Sequence, residues 1–135
     1  MEKKKLELKN LIAMLNVSDI DQSLDFYQKA LGFELVSQPE ALKEWRWGII
    51  RSGKTELMLS ETQCELKLKP GINPRTDVEW PVIFYFYPED VEALYKDVCG
   101  KGFAATPLED TIYGMREFSL QDPDGHLLSF GQDLN

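Results

Sequence analysis

The sequence predicts an α+β fold in which one β-α-β-β-β unit is used twice, and three observations carry that prediction. Strand-like apolar runs and a single amphipathic helical stretch follow one another in the same order in each half. The chain also repeats on itself. At an offset of 70, Leu24 falls on Leu94, Gly32 on Gly102 and Phe33 on Phe103, so that VSDIDQSLDFYQKALGF lies over YPEDVEALYKDVCGKGF. Finally, 135 residues suffice for one compact domain with a sizeable core and are too few for two ordinary ones. A half-unit with strands on one side and one helix on the other needs its partner half to close a core. The expected organisation is therefore a single domain over 1–135, with module 1 at about 6–61, a linker at 62–79 and module 2 at about 80–132.

Each element has a local reason. LKNLIAMLNV reads as the first strand, apolar on both faces and so expected to be covered on both. In the next stretch Ile20, Leu24, Tyr27 and Leu31 recur at helical spacing, Asp19 can cap the start and Gly32 supplies the stop. FELVSQ, EWRWGII and TELMLSE follow as three short strands, the last two joined by the turn RSGK. The polar, proline-bearing segment from Thr62 to Glu79 reads as a linker or long surface loop. WPVIFYFY restarts the pattern as a dense β-forming run, and a second helix presents Val91, Leu94 and Val98 on one side. FAATPL, YGMREFSLQ and HLLSF supply three more strands, with DPDG between the last two as a type I turn.

Composition narrows function by exclusion. With 43% apolar and 28% charged residues the chain has the balance of a soluble globular protein. Its formal net charge of −8 argues against binding a nucleic-acid backbone, which takes clustered Lys and Arg, and suits a cationic or neutral small ligand. No apolar run has the length of a membrane span and no apolar signal core follows the basic MEKKKLELKN, so a cytoplasmic protein with no membrane partner is expected. Cys64 and Cys99 carry no CxxC spacing and read as reduced thiols.

LNVSDIDQSLDFYQKALGFELV followed by FSLQDPDGHLLSF resembles the glyoxalase/bleomycin-resistance/extradiol-dioxygenase group, the vicinal oxygen chelate superfamily. The resemblance implies two β-α-β-β-β modules whose mixed sheets curl around a ligand cup, helices on the outer face. It spans metal-dependent isomerases, lyases and dioxygenases as well as metal-free antibiotic-binding proteins, so the site must decide function. Carried over from metal-using relatives, the four cup-facing ligand positions fall on Ile12, Glu56, Val82 and Ser129. Catalytic zinc or non-heme iron needs three protein donors, and aliphatic side chains offer no lone pair. No metal and no other cofactor is expected. His126, the single histidine, alternates with Leu127 and Ser129, so it is expected to point away from the cup as an exposed turn residue.

The same alternation gives a candidate lining. Ile12, Met14 and Asn16 share one face of the first strand, Glu56 and Met58 one of the fourth, and Val82, Phe84 and Phe86 come from the second module beside Leu127 and Ser129. WRW places Trp45 and Trp47 on one strand face, Trp80 stands at the mouth of the second module, and Tyr113 and Arg116 are further candidates. Glu56 has three readings: a general base raised by desolvation, a counter-ion for a cation, or a strand glutamate at a solvated edge. Aromatic walls with few polar groups suit a planar or amphipathic organic molecule. The expectation is a metal-independent protein of the bleomycin-resistance type that sequesters a small ligand, and that branch implies a homodimer. A divergent lyase, isomerase or dioxygenase using Glu56 is the alternative, and a scaffold module without ligand a third.

Overall fold

The computed structural model describes residues 5–62 and 82–135. The first module runs β1 (Ala13–Val17), α1 (Ile20–Leu31), β2 (Glu34–Leu35), α2 (Pro39–Trp45), β3 (Trp47–Ser52) and β4 (Thr55–Glu61). The second runs β5 (Phe84–Phe86), α3 (Val91–Gly100), β6 (Glu109–Asp110), β7 (Met115–Gln121) and β8 (Leu127–Asp133). Each module builds one four-stranded mixed sheet, ordered β1-β4-β3-β2 and β5-β8-β7-β6. In both sheets the first and last strands of the module pair in parallel and the rest are antiparallel. The α+β class and the doubled strand-helix-strand order read from the sequence are present.

Caps fix the helices where the sequence places them. The Asp19 carboxylate accepts from the Asp21 and Gln22 amides at 3.0 and 3.2 Å, and Asp90 accepts from Ala93 at 3.0 Å. Gly32 ends α1 in the left-handed region at φ 72, and Phe33 N–H donates to the Tyr27 carbonyl at 3.1 Å. The two caps are 71 residues apart, whereas the two terminating glycines are 70 apart. The second module is thus one residue shorter across its helix.

Both sheets turn one face to a single core. Leu15, Val17, Ile50, Leu57 and Leu59 from the first meet Phe118, Leu120, Leu128 and Phe130 from the second, with Ile20, Tyr27, Val91 and Val98 of the helices among them. Phe130 stacks between Phe118 and Phe86, at centroid distances of 4.9 and 5.2 Å. The other face of each sheet lies opposite that core.

The DPDG turn ties the modules together. Asp122 is buried; one carboxylate oxygen accepts from the Asp124 and His126 amides at 3.0 and 2.9 Å. The other takes the Tyr27 hydroxyl and contacts His126 Nδ1, both at 2.8 Å. Burial, with Asp122 beside it, pushes the Tyr27 phenol far above its ordinary value and keeps it a donor. Asp124 accepts from the Ser18 amide and hydroxyl at the start of α1.

Several local expectations change. Residues 39–45 form a helix with Pro39 in its first turn, a favoured position for proline, so EWRWGII is a strand only from Trp47. FELVSQ yields only Glu34–Leu35, and FAATPL forms no strand, although Thr106 N–H donates to Ser119 O beside β7. The first strand is covered on one face only: Met14 is 54% exposed while Leu15 is buried. Trp80, Cys64 and the linker beyond Thr62 lie outside the described residues.

Candidate functional site

On the first sheet, alternation puts Met14 and Asn16 of β1, Glu56, Met58 and Ser60 of β4 and Trp47, Ile49 and Arg51 of β3 on the open face. Pairing aligns them in rows: Met14, Met58 and Ile49 in one, Asn16, Ser60 and Trp47 in the next. Glu56 sits opposite Arg51 and accepts from its guanidinium at 2.9 Å. The pair is partly exposed and adds little to stability, but it cancels the glutamate's charge locally. Trp45 does not join this face; it ends α2, 72% exposed.

Arg46 turns the chain from α2 into β3 with a left-handed φ of 52. Its guanidinium contacts Glu61 at 2.8 Å and Asp21 at 2.9 Å, and Glu61 also accepts from the Ile20 amide at 2.9 Å. The bonds from Arg46 and Ile20 hold the Glu61 carboxyl below its ordinary range. This network locks the end of the open face to the start of α1.

On the second sheet the expected facing of the first strand, β5, is inverted, while Leu127 and Ser129 of β8 take the open side as expected. Phe84 and Phe86 pair with Leu128 and Phe130 and pack on the core, so Ile83, Tyr85 and Tyr87 take the open side. The cause is the one-residue difference between modules. The offset is 70 at the glycines that end the helices and between β3 and β7, where Ile50 matches Leu120, but ahead of the helices it is 71, and a slip of one residue along a strand reverses every side chain. Ile83, not Val82, therefore corresponds to Ile12, and Val82 precedes β5 with 59% exposure. Arg116 is also on the core side, by alternation with Phe118, where it bonds Asp110 at 2.7 Å and approaches Glu92 of α3 at 3.6 Å. His126 faces the core side too. It is not an exposed turn residue: its side chain is 11% exposed, held by Asp122 and set edge-on to Phe84.

What the open face of the second sheet does carry is a polar-aromatic group. Ser129 and Ser119 stand opposite each other and share a hydrogen bond of 2.8 Å. One row along, Glu117 stands opposite Gly131. Its two oxygens accept the Tyr85 and Tyr113 hydroxyls at 2.5 and 2.6 Å. Partial burial and the bond to Glu117 push the Tyr85 phenol upward, and the bond to Glu117 does the same for Tyr113. Beyond Ser119, a cleft of about 550 Å³ is lined by Gln121, Leu127, Phe103, Thr106 and Phe26. Glu117, Tyr85 and Ser119 are absent from the sequence-based lining. The signal for Glu117 was available in YGMREFSLQ, where Phe118 and Leu120 mark the buried parity.

A metal does not fit the four positions implied by the resemblance, with Ile83 now in place of Val82. Ile12 and Ile83 have no donor atom, Glu56 is engaged by Arg51, and the Ser129 hydroxyl is engaged by Ser119. Among the described residues no group of three or more His, Cys, Asp or Glu comes together in a way that could hold an ion. Nor, among those residues, is any helix long and apolar enough to cross a membrane.

Comparison with known proteins agrees with this architecture. An integron cassette protein from the mobile metagenome of the Halifax Harbour sewage outfall has a TM-score of 0.70 and 22% identity, over 92% of this chain and 98% of that one. TioX from Micromonospora has a TM-score of 0.72 and 20% identity, over 93% and 99%. Lactoylglutathione lyase from Agrobacterium tumefaciens has 0.66 and 17%, over 93% and 94%. At these identities the likeness speaks for the fold alone. No curated protein matches. The family model of the Glyoxalase/Bleomycin resistance protein/Dioxygenase superfamily matches residues 11–130. With the doubled module, the parallel pairing of first and last strands and the DPDG turn all in place, this chain belongs to that superfamily.

Proposed function

We propose that the chain is a metal-independent small-molecule-binding protein of the bleomycin-resistance type, which sequesters its ligand and leaves it unchanged. One observation carries the reading. The positions where metal-using relatives of the superfamily hold their ion are occupied by two isoleucines, a glutamate tied to arginine and a serine tied to serine. Aliphatic groups there dry the site around an ion that needs solvation, and the same groups favour an organic ligand. The alternative reading, an enzyme using Glu56 as its base, is weakened because the Arg51 guanidinium donates to its carboxylate at 2.9 Å and occupies a lone pair that a base would need.

Each open face is read as one wall of a cup, with exposed Met14 and Tyr85 on the edge strands β1 and β5 and exposed Ile83 just ahead of β5. A second copy, offering its other module, would complete two clefts in a homodimer. The test is a thermal-shift screen of aromatic and cationic compounds with and without EDTA. A true ligand at 100 times its dissociation constant adds about 2.7 kcal/mol of stability. The expected result is the same shift in both conditions, with the compound recovered intact by mass spectrometry. A shift that needs a divalent ion, or a compound returned as product, overturns the reading.

A further inference from the structure

We infer that Glu117, with Tyr85, Tyr87 and Tyr113 around it, forms a subsite for an organic cation on the open face of the second sheet, a protonated amine or quaternary ammonium group. The inference rests on the sequestration reading of that face and names the charge class of its ligand.

The geometry begins with Gly131. A Cβ there would lie 1.8 Å from the Tyr85 hydroxyl oxygen and 2.5 Å from its ring carbon Cζ. Only glycine leaves room for the Tyr85 ring to lie across β8 and reach Glu117 on β7. Tyr113 comes from the turn before β7 and takes the other carboxylate oxygen. Tyr87 packs beside Tyr85 with ring centroids 5.1 Å apart. All three rings stay accessible: Tyr85 is 36% exposed, Tyr113 66% and Tyr87 77%.

Charge then decides the ligand. Phenols donate hydrogen bonds to a carboxylate without neutralising it, and the Tyr85 and Tyr113 hydroxyls are held in their protonated form. Among the described residues no Lys, Arg or His forms an ion pair with Glu117, whereas Glu56 on the other sheet has Arg51. A carboxylate with no cation of its own, held by two phenol hydroxyls and flanked by exposed tyrosine rings, attracts an ammonium group by charge, and the ring faces nearby add to the attraction. An anion is repelled by the same group, and a neutral aromatic gains only contact. The net charge of −8 steers a cation toward the chain as a whole.

The test titrates choline and its neutral carbon isostere, 3,3-dimethylbutan-1-ol, into the full-length protein, following tyrosine ring resonances by NMR. Choline is expected to bind roughly tenfold or more tightly than the isostere, and Glu117→Gln to remove that advantage. Asp25→Asn, on the exposed side of α1 where it pairs with Lys29, is expected to leave it unchanged. Should Glu117→Gln unfold the sheet, Tyr87→Leu leaves both carboxylate bonds intact and must weaken choline while sparing the isostere. Equal binding of the two compounds, or full choline binding by Glu117→Gln, overturns the inference. If choline fails but a neutral aromatic such as 2-naphthol still stabilises the protein, the cation subsite falls and sequestration stands. If nothing binds, both fall.

Discussion

The two open faces come from the same kind of module and end with opposite charge arrangements. On the first, methionine, isoleucine and tryptophan surround an Arg51–Glu56 pair that cancels itself. On the second, two serines and three tyrosines surround Glu117, whose only partners among the described residues are neutral phenols. The buried faces show no such divergence, since both modules fill them with aliphatic and aromatic side chains in one core. Duplication therefore constrains the side that must pack and leaves the other side open to different chemistry. The first face offers apolar contact, the second a charge.

The ways to break this contrast differ in size. Phe118→Ala removes the ring stacked on Phe130 at the centre of the shared core. It is expected to cost about 3–5 kcal/mol in urea unfolding. Asp122→Ala cuts the tie between modules and leaves the buried Tyr27 hydroxyl without its acceptor. A loss of about 3 kcal/mol is expected in the same assay. Gly131→Ala should cost less than about 1 kcal/mol, because Tyr85 is partly exposed and can swing outward. Its diagnostic effect is different: released from Glu117, the Tyr85 phenol should titrate nearer its ordinary value of about 10.

A pH experiment probes the network that anchors the first face. Glu61 has a lower pKa folded than unfolded, so its contribution is fully present above the unfolded value of about 4.3 and is lost as pH falls through the folded value. Glu61→Gln should therefore lower stability at neutral pH and flatten the acid limb of the stability profile. The smallest effect belongs to the open face itself. Met14→Ala, at a half-exposed position, should stay within about 0.5 kcal/mol. A large loss there would mean that the face is packed and not open.

How much was legible in the sequence follows from the same contrast. The helix α1, its Asp19 cap, its Gly32 stop and the DPDG turn depend on local chemistry and could be read directly. The first sheet's faces followed from alternation because Leu15, Val17, Leu57 and Leu59 announce the buried parity. The second module defeated the same method at β5, where FYF is aromatic at every position and parity is silent. Only the repeat offers a register there, and the one residue fewer between Asp90 and Gly102 than between Asp19 and Gly32 turns Phe84 and Phe86 to the opposite face. Helix α2 was missed because WRW looks like strand, while Arg46 in a left-handed conformation separates its two tryptophans into different elements. Glu117 was missed because its partners Tyr85 and Tyr113 are 32 and 4 residues away and meet it only through the fold.

We propose that this member of the superfamily holds its ligand without an ion. Elemental analysis by mass spectrometry of protein purified without chelator, from medium containing zinc, iron, nickel and manganese, tests it most directly. We expect content far below one ion per chain. One ion per chain, removed by EDTA together with ligand binding and restored with it, would contradict the account.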